Sequence, residues 1–221
     1  MNPLPRAAFF DVDRTLLAVN SAHLHLYDAL MRGEMSGADA LRHAYWLCLY
    51  FWGALDAPRV ATQALRRFEG REHEALKQEN EAWYTQRLRP HIRPRARRLL
   101  EAYRQQEVPC VLISAATEYS LLPLARDLGL SHCIGTRLEV QAGKLTGRPI
   151  EPLCYGEGKV KLAELWCRAQ GLPLEDCAFY SDSISDLPLL QRVGYPHAVH
   201  PDPRLRRIAR RKGWPIERWD P

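Results

Sequence analysis

Four short apolar runs punctuate the chain: "AAFF", "VPCVLIS", "CAFYS" and "YPHAVH". Their continuous apolar character predicts buried strands near residues 7–11, 108–114, 177–181 and 195–200. Between and after them apolar positions recur at helical spacing, over about 94–106, 117–128, 158–170, 186–192 and 203–212. Strand–helix alternation with strands apolar throughout predicts an α/β protein, a parallel sheet covered by helices on both faces. A different rhythm runs through "LEVQAGKLTG" (138–147), where alternating residues flank Ala142-Gly143 and predict a hairpin beside the sheet.

Residues 18–90 break the alternation and read as consecutive helices. Ser21 is placed to cap a helix stopping at Gly33, and Ser36 a second running to Gly53. Asp56 with Pro58 marks the start of a third, ending at Gly70, and a fourth continues to Pro90. The expected organisation is therefore a core domain, 1–17 and 91–221, carrying an all-helical cap, 18–90, inserted after the first strand. The aromatic run Tyr45, Trp46, Tyr50, Phe51 and Trp52 is expected to form cap core.

Composition narrows the class. At 221 residues with 46% hydrophobic positions, the chain suits one large domain or a domain with an insertion. Its most apolar stretch, "AYWLCLYFWGAL", is too short to span a bilayer, and the N-terminus lacks the pattern of a signal peptide, so a cytoplasmic protein is expected. The six cysteines are scattered without a Cys-x-x-Cys pair and read as buried thiols in a reducing compartment. The net charge is +5, concentrated in "RLRPHIRPRARR" (87–98) and "RLRRIARRK" (204–212). No nucleic-acid motif accompanies these runs, so solvated helix faces are preferred to a nucleic-acid patch. Nothing in the sequence gives the oligomeric state.

In open parallel sheets, ligands bind where strands end. Asp11, Asp13 and Thr15 follow the first predicted strand; Ser114, Ala115 and a helix follow the second; Asp182 and Asp186 follow "CAFYS". Lys159 ends the loop "YGEGK" and opens a helix. Each residue alone has an ordinary reading: Asp is common in turns, and Asp186 is placed to cap the helix containing Pro188. Together they put three chain-distant carboxylates, a hydroxyl and a cation at one sheet edge. Carboxylates at 11, 13 and 182 suit Mg²⁺, which takes one or two such ligands plus water and substrate phosphate. A free carboxylate oxygen can attack phosphorus, and a second carboxylate nearby can move the proton. A lysine opening a helix opposes the helix dipole, a conflict an adjacent anion resolves.

These segments resemble the four motifs of the haloacid dehalogenase (HAD) superfamily: "FFDVDRTLL", "LISAA", "GEGK" and "YSDSISDLPLL". The helical insertion and the tail "AVHPDPRLRRIARRKGWPI" resemble its phosphoserine-phosphatase-like subfamily (IB), including HAD-type histidinol-phosphate phosphatases. The resemblance implies a Rossmann-like core and a Mg²⁺-dependent phosphomonoesterase acting on a small phosphorylated metabolite. It implies Asp11 as nucleophile and metal ligand, Asp13 as general acid/base lending its carbonyl to the metal, and Asp182 as a further ligand. It implies Ser114, Ala115 and Lys159 at the phosphate, with Thr15, Ser185 and Asp186 in support. Ser185 stands where relatives often carry Asn. Asn20, Ser21 and Ala22 stand where relatives handling amino-bearing phosphates place an acid, which counts against phosphoserine or histidinol phosphate without excluding them. His23 and His25, nearby, read as structural. The rival readings are a phosphotransferase of the same superfamily and a lipid- or nucleic-acid-binding module using the Arg-rich helices. Arg14 is left open between the substrate entrance and solvent.

Overall fold

A computed structural model describes residues 4–33 and 62–219. The helix expected from Ser36 to Gly53, the start of the next at Asp56 and Pro58, the aromatic run and Cys48 lie outside the described residues. The strands are β1 (Ala7–Phe10), β2 (Cys110–Thr117), β3 (His132–Gln141), β4 (Lys144–Ile150), β5 (Cys177–Ser181), β6 (Tyr195–Val199) and β7 (Ile216–Glu217). The described helices longer than one turn are α1 (Ser21–Met31), α2 (His73–Trp83), α3 (Pro94–Gln105), α4 (Glu118–Asp127), α5 (Glu157–Ala169), α6 (Leu187–Leu190) and α7 (Pro203–Lys212).

The seven strands form one sheet in the order β4-β3-β2-β1-β5-β6-β7. Every pairing is parallel except β3 with β4. The architecture is a Rossmann-like α/β fold. β1 is central: Phe10 pairs with Leu112 on one side and Tyr180 on the other. Alternate residues of "AAFF" feed two cores. Ala8 and Phe10 join Leu112 and Tyr180 under α3 and α4. Ala7 and Phe9 join Val111, Ile113 and Phe179 under α5, α6 and α7. All four residues of β1 are fully buried, which explains the absence of a polar face in its sequence. Phe9, Phe10 and Phe179 each contribute about 1.5–3 kcal/mol by leaving water.

Several boundaries differ from the sequence expectation. The hairpin is the sheet's own edge, because β3 starts at His132 and pairs with β2 before turning back. Ala142 and Gly143 both take positive φ (49° and 78°), the turn whose twist matches the strands it joins. β2 runs on through Ser114 to Thr117, with its register against β3 broken between Ile113 and Thr117. Ser114 therefore sits in an irregular strand end, and the helix begins only at Glu118. The cap of α1 is Asn20, whose side chain accepts from the His23 backbone N–H at 3.0 Å. Ser21 does not cap, because its own backbone N–H is given to Asp13. β7 was not legible at all.

The helical segment after β1 is tied to the sheet in two places. Asp28 of α1 is buried and accepts from Trp83 Nε1 (3.0 Å), Arg87 Nε (2.9 Å) and Arg87 Nη2 (2.6 Å). Trp83, Tyr84 and Leu88 share a cluster with Leu16, Leu17 and Ile92. Further along, Leu65 and Leu76 pack against Leu138 and Leu145 of the hairpin. Arg89 and Arg97 pair with Asp127 at 3.2 and 2.6 Å, so much of the first Arg-rich run is structural. Among the described residues, no helix is long and apolar enough to cross a membrane. The five described cysteines are free thiols.

Candidate active site

The site lies where β1, β2 and β5 end. Asp11 leaves β1 with its N–H still on the Tyr180 carbonyl (2.9 Å), which fixes it against the neighbouring strand. The chain then turns within Val12–Leu16, closed by the Leu17 N–H on the Val12 carbonyl (3.0 Å). Inside this turn Arg14 takes φ 57°, ψ −5°, a left-handed backbone that side chains rarely adopt. Asp13 accepts the Ser21 N–H at 2.8 Å, linking the turn to the start of α1. Thr15 Oγ1 lies 3.5 Å from Asp11 Oδ2, donating to it.

Lys159 comes from the first turn of α5 and is almost wholly buried. Its Nζ donates to Asp11 Oδ1 and to the Asp186 carboxylate, each at 2.8 Å. The anions that resolve its conflict with the helix dipole are thus two carboxylates of this chain. Reaching them requires the loop before α5 to pack hard on its neighbour. A Cβ on Gly158 would overlap the Leu153 carbonyl oxygen. Asp186 occupies the cap position of α6 without capping it; its side chain accepts from Ser181 Oγ at 2.6 Å as well as from Lys159. Asp182 follows β5, and its carbonyl accepts from the Asp202 N–H at 2.8 Å. Ser185 bonds outside this cluster: it pairs with Ser183, hydroxyl to hydroxyl, at 2.9 Å.

At the end of β2, Ser114 is buried and its Oγ accepts from the Ala116 N–H at 3.3 Å. Thr136 Oγ1 donates to the Ala115 carbonyl at 2.9 Å and so orients that peptide. Here β3 passes close: a Cβ on Gly135 would lie 2.8 Å from the Ala116 carbonyl oxygen and 3.1 Å from the Glu118 nitrogen. The backbone that follows Ser114 is shaped by a neighbour with no side chain.

Electrostatically the cluster is short of positive charge. Burial pushes the Asp11 carboxyl up to about 7, against the pull of Lys159 and with a further push from Asp186. Burial, then Asp11 and Asp186, push Asp182 up to about 8. Burial also raises Asp13, opposed by its hydrogen bonds from Ser21. Lys159 is held charged, since Asp11 and Asp186 outweigh the cost of burying it. Two carboxylates that would hold protons near neutrality invite a hard cation. Among the described residues no three His, Cys, Asp or Glu side chains surround one point. Two carboxylates supplemented by a main-chain carbonyl and water remain, the sparse donor set that suits Mg²⁺.

The structure brings together Asp11, Thr15, Lys159 and Asp186 by direct contact, and Asp13 and Asp182 by charge. Ser181, Thr136, Arg93 and Asp202 also shape the site and were missed. Ser181 was visible inside "YSDSISD" but reads as strand. Arg93, buried and donating to the Arg14 carbonyl (3.3 Å), carries no local signal within an Arg-rich run. His25 is structural, stacked on Trp83 with ring centroids 3.6 Å apart; burial and then Arg67 bring its pKa down to about 4.

Residues 8–191 match the family of haloacid dehalogenase-like hydrolases. A histidinol-phosphatase of Neisseria meningitidis is 30% identical over 214 residues, covering 95% of this chain and 96% of that one. The phosphoserine phosphatase SerB1 of Mycobacterium tuberculosis is 34% identical over 218 residues, covering 96% of this chain and 70% of that one. A solved structure of a Bordetella pertussis protein of unknown function superposes with a TM-score of 0.86 at 30% identity, covering 97% of this chain and 98% of that one. The chain belongs to the haloacid dehalogenase-like hydrolase family. Its enzyme class is that of a phosphoric monoester hydrolase, a phosphatase.

Proposed function

We propose that this enzyme hydrolyses a small phosphorylated metabolite through a phosphoryl group carried on Asp11, with Mg²⁺ as cofactor, in the cytoplasm. The observation that carries this reading is the Lys159 bridge. A buried cation at 2.8 Å engages Asp11 Oδ1 and favours its ionised form against the push of burial, at the end of the central strand. The other oxygen, Oδ2, has only the long Thr15 contact and is the one left to attack. Asp11 forms the bond to phosphorus as the ester oxygen leaves. Asp13, whose carboxyl pKa is raised by burial, protonates that oxygen and then takes a proton from the water that attacks phosphorus, breaking the bond to Asp11 and releasing phosphate. Ser114 and the Ala115 N–H receive the phosphoryl oxygens, and Lys159 offsets their charge. Asp186 and Ser181 hold Lys159, Thr15 steadies Asp11, and Ser185 braces the loop through Ser183. Asp11, Asp182 and the Asp13 carbonyl would hold Mg²⁺, which supplies charge neutralisation at the phosphate. Residues 18–90 act as the cap over this edge and set the substrate, with phosphoserine and histidinol phosphate the candidates that the relatives suggest.

Asp11→Asn is expected to abolish phosphate release from every substrate while leaving the far-ultraviolet circular dichroism unchanged. Turnover at the wild-type rate, by protein shown by mass spectrometry to carry Asn, refutes the mechanism.

A further inference from the structure

We propose that Arg14 is the specificity residue of this site, selecting phosphomonoesters that carry a second anionic group, a carboxylate or a second phosphate. The proposal rests on the phosphatase reading and names the substrate class for it.

The backbone makes the first argument. Arg14 stands at φ 57°, where glycine would sit without strain. That conformation is clamped on both sides: its N–H donates to the Val19 carbonyl at 3.0 Å, and its carbonyl accepts from buried Arg93 Nη2 at 3.3 Å. Arg93 is itself registered by its N–H on the Leu16 carbonyl at 2.9 Å. A strained backbone held this firmly, with a large side chain where none is needed, points to a task for that side chain.

Charge makes the second. Arg14 is exposed and directly follows Asp13, and its N–H on the Val19 carbonyl sets its backbone between the carboxylate cluster and the start of α1, where its charge is felt by Asp182 and His23. It has no carboxylate within ion-pair distance among the described residues, whereas Arg87, Arg89, Arg97 and Arg126 each do. A cation left unpaired beside a site built for an anionic ester is placed to take a second anion, and guanidinium meets carboxylate or phosphate two bonds at a time.

The surroundings make the third. The first turn of α1 contains no acidic residue, and the Asn20 side chain is spent on the cap. Asp28, the acid of α1, is enclosed by Arg87 and Trp83. Burial, followed by Arg14, holds His23 toward its neutral form. Among the described residues the first turn of α1 carries no acid to balance an ammonium group, while Arg14 carries a charge with no carboxylate at ion-pair distance.

The test uses the full chain with Mg²⁺ and matched substrate pairs. Phosphoserine is set against phosphoethanolamine, and 3-phosphoglycerate against glycerol 3-phosphate, to isolate a carboxylate. Propane-1,3-diol bisphosphate against its monophosphate isolates a second phosphate. Wild type is expected to favour the anionic member of at least one pair by about tenfold in kcat/KM. Arg14→Gly is expected to bring that ratio within about twofold of unity, chiefly through KM of the anionic member, and Arg14→Lys to retain an intermediate ratio. Glycine suits this backbone, so the melting temperature of Arg14→Gly is expected at or above wild type, separating loss of selectivity from unfolding. Wild-type ratios of one or below in every pair, or a ratio unchanged by Arg14→Gly, overturn the proposal. Hydrolysis of p-nitrophenyl phosphate without any such preference refutes the role of Arg14 alone; no hydrolysis of any ester refutes the phosphatase reading with it.

Discussion

Replacing Lys159 by Met tests whether the ion pair at the sheet edge is built as described. Methionine preserves the length and much of the volume, including contact with the Phe179 ring, whose centroid lies 5.6 Å from Nζ. What it removes is the charge. Each 2.8 Å contact, to Asp11 and to Asp186, is worth about 6 kcal/mol of attraction at an effective dielectric of about 20. Most of that offsets the burial of the three groups, so the net loss on breaking the pair is about 3–5 kcal/mol, left as uncompensated buried carboxylate. A domain of ordinary stability, about 5–15 kcal/mol, survives this only in part. The effect has a pH signature. Asp11 is already raised to about 7 with Lys159 present, and removing the cation raises it further. A carboxyl whose folded pKa lies above its unfolded value stabilises the fold below the unfolded pKa and loses that contribution as pH rises through the folded one. The penalty is therefore largest near pH 8 and shrinks toward pH 5, where Asp11 takes up its proton. Urea denaturation followed by circular dichroism at both pH values measures it. A penalty below about 1 kcal/mol at pH 8, or one that grows on acidification, refutes the reasoning.

Three further outcomes follow from the geometry of the site. Without metal, Asp11 and Asp182, raised to about 7 and about 8, make the wild-type protein more stable as pH falls from 9 toward 5. Mg²⁺ favours the ionised carboxylates, so it is expected to raise the melting temperature clearly at pH 8.5 and little at pH 5.5; an equal shift at both counts against carboxylate ligation. Gly135→Ala forces the Ala116 carbonyl away from 2.8 Å, which is expected to cost about 1–3 kcal/mol in thermal or urea unfolding and to lower kcat through the displaced Ser114 segment. Wild-type stability and rate in that variant refute the close-packing account.

The legible parts of this molecule are those where one physical demand dominates. β1 is buried on both faces, so "AAFF" could be nothing but apolar, and the aspartates that follow it mark its end. Lys159, Asp182 and Asp186 stand out because charge beside apolar runs requires a partner. The misreadings fall where two candidates compete for one position. Asn20 and Ser21 are both capable caps, and the choice is made by Asp13, which takes the Ser21 N–H. β2 overruns its expected end because pairing with β3 resumes at Thr117 with Thr136, a contact between segments far apart in sequence. Thr136, Gly135, Arg93 and Asp202 act on the site through the third dimension alone. Their roles depend on which backbone passes beside them, and no local pattern encodes that.

The central position of β1 has a consequence for the order in which this enzyme is born. Its first partner, Leu112, and its second, Tyr180, are both synthesised long after Phe10. At about 5–20 residues per second, roughly 10–35 s pass between Phe10 and β5, and "AAFF" has no partner strand at all until β2 is made. Until β2 and then Lys159 are made, Asp11 is a solvated carboxylate at the end of an unprotected apolar segment. The attacking group is translated well before Lys159, the residue that arms it. A ribosome that stalls before Ser181 thus releases a sticky fragment and no hydrolase, so the topology couples completion of the chain to the onset of its chemistry.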